Sequence, residues 1–403
     1  MAFREASIKL TKAIPLAVKK EQGIYFTPKS ARDVLFSSLP PTFAPTLILE
    51  PSFGSGEFIQ DARERWPSVP ILAVEKNRTI YNAYTPVLNV KTFCDDFLNW
   101  ESTDVPDLII GNPPYFVTKD PNPDCMTGRP NIYIAILYKC FRLLAPNGLL
   151  AFVLPTSLLN SSYYNPMREV LATESTIVNL QLLDASFSDT AQPTLLLMVQ
   201  KTPPLTTPYV LRIGSATLLS PKATRLQELL SEGKSMKSLG LRVKTGEVVW
   251  NQIQFVEDVD VQAAKKSKST IQKGTLTHDP HEATILYYSG NLKGTELSPH
   301  VDHPLKKPYL KDFKKDPMVG PAILMSRGYG NTFSFTYAYI PEEREFYAEN
   351  HVNVIKAIRP SSAPALERLH RSLSNPKTAE FLHSFVGNGS LSKTELEEML
   401  PVF

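Results

Sequence analysis

The sequence has few of the residues from which disulfide frameworks and metal sites are built. Its 403 residues include three cysteines, Cys94, Cys125 and Cys140, and none belongs to a CxxC pair or to a Cys/His array with metal-ligand spacing. All seven histidines follow residue 201, so the first half lacks a local Ser/His or Cys/His pair for nucleophilic catalysis. We expect free thiols, no bound metal, and chemistry in the first half that runs without histidine.

Long hydrophobic runs and a signal sequence are also missing. No apolar run approaches the length needed to span a bilayer, and the N-terminal residues mix charges into their apolar stretches. With 42% hydrophobic and 21% charged residues, the composition is typical of a soluble globular protein. We expect no membrane association, and a location in the cytoplasm of a bacterium or, for a viral protein, in the cytoplasm or nucleus of the host.

The chain carries little net charge, +3 in total, but the charge is unevenly distributed. Residues 1–201 hold 18 basic and 19 acidic side chains, and residues 202–403 hold 25 and 21. A polar, Lys-rich segment, 259–274, contributes to this excess. We predict it to be a loop that neutralises nucleic-acid phosphates through Lys265, Lys266 and Lys268. A solvated basic face without a ligand is the alternative.

Short apolar runs alternate with helix-length segments from Thr46 to Lys201, a pattern typical of a mostly parallel sheet covered by helices. The predicted strands are 46–50, 71–75, 90–94, 107–111, 149–154, 178–183 and 195–200. The predicted helices are 57–66, 131–144 and 165–172. The last two strands leave little room for a helix between them, so we expect an antiparallel edge.

A composition break, KTPPLTTP at 201–208, divides the chain. The length also favours two domains, at about 100–200 residues per domain. We therefore predict domains 1–201 and 202–403. In the second domain the patterning is less regular, and the segment 363–400 is predicted to form helices.

A glycine turn follows the first predicted strand, in LEPSFGSGEF at 49–58. Gly54 and Gly56 would let the backbone approach a ligand at the carboxyl end of a strand, where open α/β sheets bind nucleotides. A plain strand-to-helix turn would need the same glycines. Glu75, at the end of the next strand, favours the nucleotide site over the plain turn, because a carboxylate there can accept hydrogen bonds from ribose hydroxyls. This spacing favours an adenosine-bearing cofactor.

A second motif, Gly111-Asn112-Pro113-Pro114-Tyr115, directly follows the fourth predicted strand. The two prolines prevent the strand from continuing, so the Asn112 amide oxygen and the Pro113 carbonyl can both face the cleft. Two such acceptors suit an exocyclic amine that becomes positive as it reacts. Tyr115 can stack on the ring that carries the amine. A rigid turn without chemistry is the alternative.

Together with GIYFTP (23–28), VEKN (74–77) and DDFL (95–98), these motifs match, in order and spacing, the gamma-class amino-methyltransferases. The chain resembles this family, the DNA adenine-N6 methyltransferases of restriction–modification systems, closely through residue 201 and more loosely afterwards. The resemblance implies a Rossmann-like domain with a mixed seven-stranded sheet that binds S-adenosyl-L-methionine, followed by a target-recognition domain for duplex DNA. We also expect a monomer and, because the C-terminal half has no Asp…Glu-x-Lys metal site of a nuclease, a cognate restriction endonuclease that is a separate, unbound chain.

The resemblance assigns cofactor contacts residue by residue. Tyr25, Thr27 and Pro28 would enclose the methionine end, Glu50 would meet its ammonium, and Glu75 its ribose. Asp96 would accept from the adenine amino group and Phe97 would pack on the adenine ring. Pro51, Gly54, Gly56 and Lys76 complete the predicted cofactor site. Simpler interpretations stay open: Glu50 as a helix cap, Asp96 as a turn residue and Phe97 as core.

One departure from the family is Phe53, which stands where small residues are usual, and we expect it to narrow the cofactor pocket. In the family an aromatic residue packs on the flipped base opposite the tyrosine, and Phe187 is the candidate here; a core phenylalanine is the alternative. In the second domain Arg327 is the candidate DNA contact.

Two rival functions remain at this point. Methyltransferases of protein glutamine or RNA guanine also use Asn-Pro-Pro-Tyr-like motifs, but they lack GIYFTP and do not usually carry about 200 residues after the catalytic sheet. A catalytically silent DNA-binding subunit is the other rival, and intact Asn112 and Tyr115 argue against it.

Overall fold

The computed structural model describes residues 3–119, 121–184, 193–205, 208–256, 272–293, 296–298, 303, 305–328, 334–385 and 391–403. The chain divides into two compact units, Met1–Thr224 and Arg225–Phe403.

The first unit is built on a seven-stranded sheet with the strand order β3-β2-β1-β4-β5-β7-β6. Its strands are β1 (Ile48–Glu50), β2 (Ile71–Val74), β3 (Val90–Phe93), β4 (Leu108–Gly111), β5 (Leu149–Pro155), β6 (Thr176–Leu183) and β7 (Thr194–Gln200). Strands β1 to β5 pair in parallel, whereas β7 is antiparallel to both β5 and β6. The predicted Rossmann-like, mixed seven-stranded sheet with an antiparallel edge is confirmed.

Helices cover the sheet at the positions where apolar residues recur every three to four residues. They are α1 (Glu5–Ala13), α2 (Leu16–Gln22), α3 (Lys29–Ser38), α4 (Glu57–Arg65), α5 (Arg78–Ala83), α6 (Ile132–Leu143) and α7 (Asn165–Glu174). Strands β4 and β5 are buried along their whole length, which explains why their sequences are continuous apolar runs and not alternating ones. The side chain of Asn131 caps the N-terminus of α6.

Ionic contacts fasten the N-terminal helices to α4, the helix that follows the glycine turn. Arg4 contacts Asp61 on α4 (2.6 Å). The guanidinium of Arg32 on α3 is 1% exposed and contacts Glu57 (2.7 Å) and Asp61 (2.5 Å). Buried charges are tolerated only when they are paired in this way, so the network fixes the chain segment between α2 and α4.

The second unit contains several smaller sheets. A four-stranded sheet has the order β11-β22-β19-β20 and a six-stranded one the order β12-β13-β17-β14-β21-β18. The hairpin of β8 (Val210–Ile213) and β9 (Ala216–Leu219) still belongs to the first unit. The strands of the second unit are β10 (Lys234–Ser235), β11 (Leu241–Thr245), β12 (Ile253–Val256), β13 (Gln272–Thr277), β14 (Thr284–Tyr287), β15 (Leu292–Lys293), β16 (Glu296–Leu297), β17 (Tyr309–Lys311), β18 (Met318–Val319), β19 (Ala322–Ser326), β20 (Tyr337–Ile340), β21 (Glu345–Ala348), β22 (Val352–Ala357) and β23 (Pro401–Val402). The helices are α8 (Ala223–Glu232), α9 (Pro364–Leu373), α10 (Pro376–Ser384) and α11 (Lys393–Glu398).

The compact units divide at residue 224, beyond the Pro-rich break at 201–208. The β8–β9 hairpin, which follows the break, packs against α7, and the Asn165 side chain accepts from the Thr217 backbone N–H (2.8 Å). Among the helices that the structure describes, none is long and apolar enough to cross a membrane.

Candidate active site

The glycine turn between β1 and α4 forms one wall of the site. Gly54 (φ 55°) and Gly56 (φ 80°) both adopt left-handed backbone conformations, which favour glycine. A Cβ at Gly56 would lie 2.5 Å from the ring of Tyr84. At Gly54 the backbone N–H donates to Glu75 Oε2 (3.0 Å), so the turn and the end of β2 hold each other.

Glu75 lies at the carboxyl end of β2 with its carboxylate oriented by two backbone amides. Besides the Gly54 bond, Oε1 accepts from the Asn77 N–H (2.7 Å). Burial raises the pKa of Glu75 above its usual value, and the hydrogen bonds from Asn77 and Gly54 act in the opposite direction. A carboxylate anchored in this way presents fixed acceptor lone pairs to ligand hydroxyls.

A cavity of about 610 Å³ opens where β1, β2 and β4 end, a volume suited to a small-molecule cofactor. Predicted site residues that line it are Tyr25, Pro51, Gly54, Glu75, Lys76, Asp96, Phe97, Asn112 and Pro114. Among the described residues, the lining does not include Thr27, Pro28, Glu50, Gly56, Pro113 or Tyr115. The structure thus brings residues from five separate motifs of the sequence to one cavity, and the second group of predicted residues is not part of its lining.

Other lining residues were not predicted from the sequence. They include Ile24, Phe26, Ser52, Asn77, Phe116, Ile132 and Ile136. Phe26 lies within GIYFTP, and Phe116 directly follows Tyr115 of the Asn-Pro-Pro-Tyr motif, so adjacency to predicted residues was the available signal. Ile132 and Ile136 recur at helical spacing, which predicts a core-facing stripe and does not distinguish core from cavity wall.

One end of the cavity is built by the turn after β3. Phe97 is 3% exposed and stacks on Trp100 with ring centroids 5.8 Å apart. Asp96 Oδ1 accepts from the Leu98 N–H (3.1 Å), and Oδ2 contacts the Lys76 ammonium (2.7 Å). The ammonium of Lys139 on α6 donates to the Phe97 (2.8 Å) and Leu98 (3.0 Å) carbonyls. This turn therefore offers an apolar face beside a carboxylate, which suits a purine ring with an amino group.

Glu50 ends β1 behind the glycine turn and is 2% exposed. Its Oε2 has no hydrogen-bond partner among the described residues. Burial raises the pKa of Glu50 well above its usual value, the charges of Glu75 and Asp61 add to the effect, and Arg32 opposes it. A buried acceptor without a donor is unfavourable until a donor arrives, so the residue fits the ammonium of a methionine-bearing cofactor.

Asn112, directly after β4, connects the cavity to the N-terminal motif. Its Nδ2 donates to Thr27 Oγ1 (2.9 Å) and approaches the Tyr25 carbonyl (3.4 Å). Its Oδ1 accepts from the Tyr115 hydroxyl, which also contacts the Val153 carbonyl (2.7 Å). Burial raises the pKa of Tyr115 well above its usual value, which keeps the hydroxyl protonated.

Gly23 explains why GIYFTP begins with glycine. It ends α2 in a left-handed conformation (φ 63°), and a Cβ there would lie 2.6 Å from the backbone nitrogen of Tyr115. Only glycine allows the N-terminal motif to pack this closely on the Asn-Pro-Pro-Tyr segment.

The expectation that Phe53 narrows the cofactor pocket is wrong. Phe53 is 2% exposed and packs in the core under the glycine turn, with its ring centroid 4.9 Å from that of Tyr84. Its two neighbours, Ser52 and Gly54, line the cavity, whereas the Phe53 ring packs against the rings of Tyr81 and Tyr84.

The remaining predicted residues lie elsewhere. Phe187, Lys265, Lys266 and Lys268 fall outside the described residues. Arg327 belongs to the second unit, is exposed, and has its Nη1 3.4 Å from the Asn350 carbonyl. Within the described part of the chain, no cluster of three or more His, Cys, Asp or Glu side chains is arranged to hold a metal ion.

The chain is similar to known proteins, in part or over its whole length. The family described as Eco57I restriction-modification methylase matches residues 71–186. Modification methylase CviBIII of Paramecium bursaria Chlorella virus NC1A is 30% identical over 420 residues, which cover 100% of this chain and 99% of that protein. Type II methyltransferase M.CvrRI of Paramecium bursaria Chlorella virus XZ-6E is 28% identical over 410 residues, with coverage of 100% and 99%. Among solved structures, the M protein of the type I restriction enzyme EcoKI is 15% identical with a TM-score of 0.37, over 48% of this chain and 47% of that one.

Proposed function

Because this chain belongs to the DNA methyltransferases of type II restriction–modification systems, with S-adenosyl-L-methionine as its cofactor, we propose that it methylates the N6 amino group of adenine. The proposed substrate is a short specific sequence in duplex DNA, and the methyl mark protects that sequence from a cognate endonuclease encoded as a separate chain.

The observation that carries the proposal is the fixed amide of Asn112 at the cavity. Its nitrogen is engaged by Thr27 and Tyr25, so its oxygen remains as the acceptor for an incoming amine. Oδ1 has two lone pairs, and the Tyr115 hydroxyl uses one of them. The second can accept from a substrate N–H.

The chemistry follows from the weakness of the nucleophile. The lone pair of an exocyclic amine is conjugated with the ring, so the nitrogen must pyramidalise before it can react. Asn112 Oδ1 and the Pro113 carbonyl would accept from its two N–H bonds and stabilise the positive charge that develops. S-adenosyl-L-methionine, when bound, supplies a methyl group on a sulfonium. Glu50 and Glu75 would hold its ammonium and ribose hydroxyls and so place the methyl group in front of the amine.

The target base must leave the duplex to reach a cavity at the edge of a sheet, so the proposal includes base flipping. Tyr115 would stack on one face of the flipped adenine and Phe187 on the other, which replaces part of the stacking that the base had in the duplex. The C-terminal half, 202–403, would read the sequence around the target. Arg327 would contribute there, and Lys265, Lys266 and Lys268 would contact phosphates.

The test is nucleoside mass spectrometry of duplex DNA after incubation with the purified protein and labelled S-adenosyl-L-methionine. Parallel incubations contain RNA or protein in place of DNA and are analysed for the label. We expect labelled N6-methyladenine and no labelled N4-methylcytosine. Label found only in N4-methylcytosine, in RNA or in protein would refute the proposal, and each of these outcomes would identify the rival substrate. The Asn112→Ala variant serves as the control for contaminating methyltransferases.

A further inference from the structure

Thr27 lies behind the cavity wall and faces the catalytic motif. It is 4% exposed, and among the described residues the cavity lining does not include it. Its Oγ1 accepts from Asn112 Nδ2 at 2.9 Å. The side chain thus contacts the proposed catalytic amide directly.

The surroundings determine which way the Asn112 amide faces. A threonine hydroxyl can donate or accept, but the Tyr25 carbonyl, 3.4 Å from Nδ2, can only accept. The side of the amide that faces Tyr25 and Thr27 must therefore be the NH₂ group. A rotated amide would place its oxygen against the Tyr25 carbonyl oxygen, with no hydrogen between them. Oδ1 consequently points away from Thr27.

Thr27 is itself held rigidly. The buried guanidinium of Arg32 donates to the Thr27 carbonyl (2.6 Å) and contacts Glu57 and Asp61. Pro28 follows Thr27 as the N-cap of α3, with φ at −65°. A hydroxyl on a backbone fixed from both sides can orient its partner without losing conformational entropy at each turnover.

We propose that Thr27 is a positioning residue that acts through Asn112: its hydroxyl fixes the amide so that Oδ1 faces the substrate amine. The proposal rests on the proposed role of Asn112 in the reaction. It differs from a contact between Thr27 and the methionine end of the cofactor. A positioning role predicts that loss of the hydroxyl lowers the rate and leaves cofactor binding unchanged, whereas a cofactor contact predicts weaker binding with an unchanged rate.

The test compares Thr27→Val, which keeps the shape and removes the hydroxyl, with Thr27→Ser, which keeps the hydroxyl. We expect the single-turnover rate of the valine variant at saturating cofactor to fall about tenfold, the effect of removing one hydrogen bond. Its Kd for S-adenosylhomocysteine, measured by calorimetry, should change by less than about twofold. The serine variant should retain both values. If the valine variant does not fold, Thr27→Ala is measured in its place.

A double-mutant cycle separates action through Asn112 from a general structural role. In the Asn112→Ala background, Thr27→Val should reduce the residual rate no further. An equal loss of rate in both backgrounds, weaker S-adenosylhomocysteine binding with a normal rate, or no effect of Thr27→Val would each overturn the inference. Failure of the proposed function has a different signature, because it would change the methylated base found by mass spectrometry and not the coupling between the two side chains.

Discussion

Replacing Glu50 with glutamine should make the free protein more stable and its cofactor binding weaker. Glu50 is 2% exposed, and its Oε2 has no hydrogen-bond partner among the described residues. Burial, and then the charges of Glu75 and Asp61, raise its pKa, while Arg32 lowers it by less. Glutamine has nearly the same shape and carries no charge to bury, so the substitution isolates the electrostatic contribution.

The sign of the stability effect follows from proton linkage. With a raised pKa in the folded state, Glu50 keeps a proton there at pH values at which the unfolded chain has already released it. The stability of the wild type therefore falls as pH rises above the unfolded-state pKa, by about 1.4 kcal/mol per pH unit for one proton, until the folded-state pKa is passed. Glu50→Gln removes this contribution, so its advantage over the wild type should grow between these two pKa values.

Cofactor binding should change in the opposite direction. A hydrogen bond to a charged group contributes about 1.5–3 kcal/mol, so removing the carboxylate opposite the cofactor ammonium should raise the Kd roughly 10- to 150-fold. Thermal unfolding at several pH values gives the stability, and calorimetry with S-adenosylhomocysteine gives the Kd.

Glu64→Gln is the matched control for this prediction. Glu64 lies on α4 with a side chain that is 70% exposed, and its substitution should leave both quantities nearly unchanged. A Glu50→Gln variant that is less stable than the wild type at neutral pH and binds S-adenosylhomocysteine equally well would refute this role of Glu50.

Three further variants test other residues that the proposed function uses. Asn112→Ala should lower the transfer rate about a hundredfold, as expected for loss of one preorganised polar group, and leave S-adenosylhomocysteine binding largely intact; normal turnover would remove Asn112 from the mechanism. Replacing Lys265, Lys266 and Lys268 together should reduce the slope of log affinity for DNA against log salt by up to about 0.9 for each phosphate that is no longer neutralised; an unchanged slope would mean that these lysines are merely solvated. Phe187→Ala should reduce the fluorescence of 2-aminopurine at the target position, because the loss of one stacking partner lowers the fraction of the base that is flipped out of the duplex. Normal fluorescence with a melting temperature several degrees lower would assign Phe187 to the core.

The strands and the glycine turn were predictable because their signals are local. Buried parallel strands such as β4 and β5 are continuous apolar runs bounded by turn residues, and the glycines at 54 and 56 occupy left-handed conformations that few other residues adopt. The apolar spacing of α6 likewise predicted a helix over 131–144, close to the observed Ile132–Leu143.

The neighbours of each side chain were not predictable, because they depend on contacts between segments far apart in the chain. The contact between Thr27 and Asn112 joins residues that are 85 positions apart in the sequence. The burial of Phe53 away from the cavity depends on the path of the turn, and a large residue in a glycine-rich motif does not reveal which layer it enters. The fixed position of α3 similarly depends on Arg32 meeting two carboxylates on α4.

The proposed methylation of adenine N6 in a specific DNA sequence can be checked by modified-base sequencing of DNA from cells that express the protein. Cells that express Asn112→Ala at the same level provide the background. We predict N6-methyladenine at one position of a short recurring sequence in the wild-type sample and its loss in the variant. N4-methylcytosine at the recurring sequence, or no modification above the Asn112→Ala background, would contradict the claim.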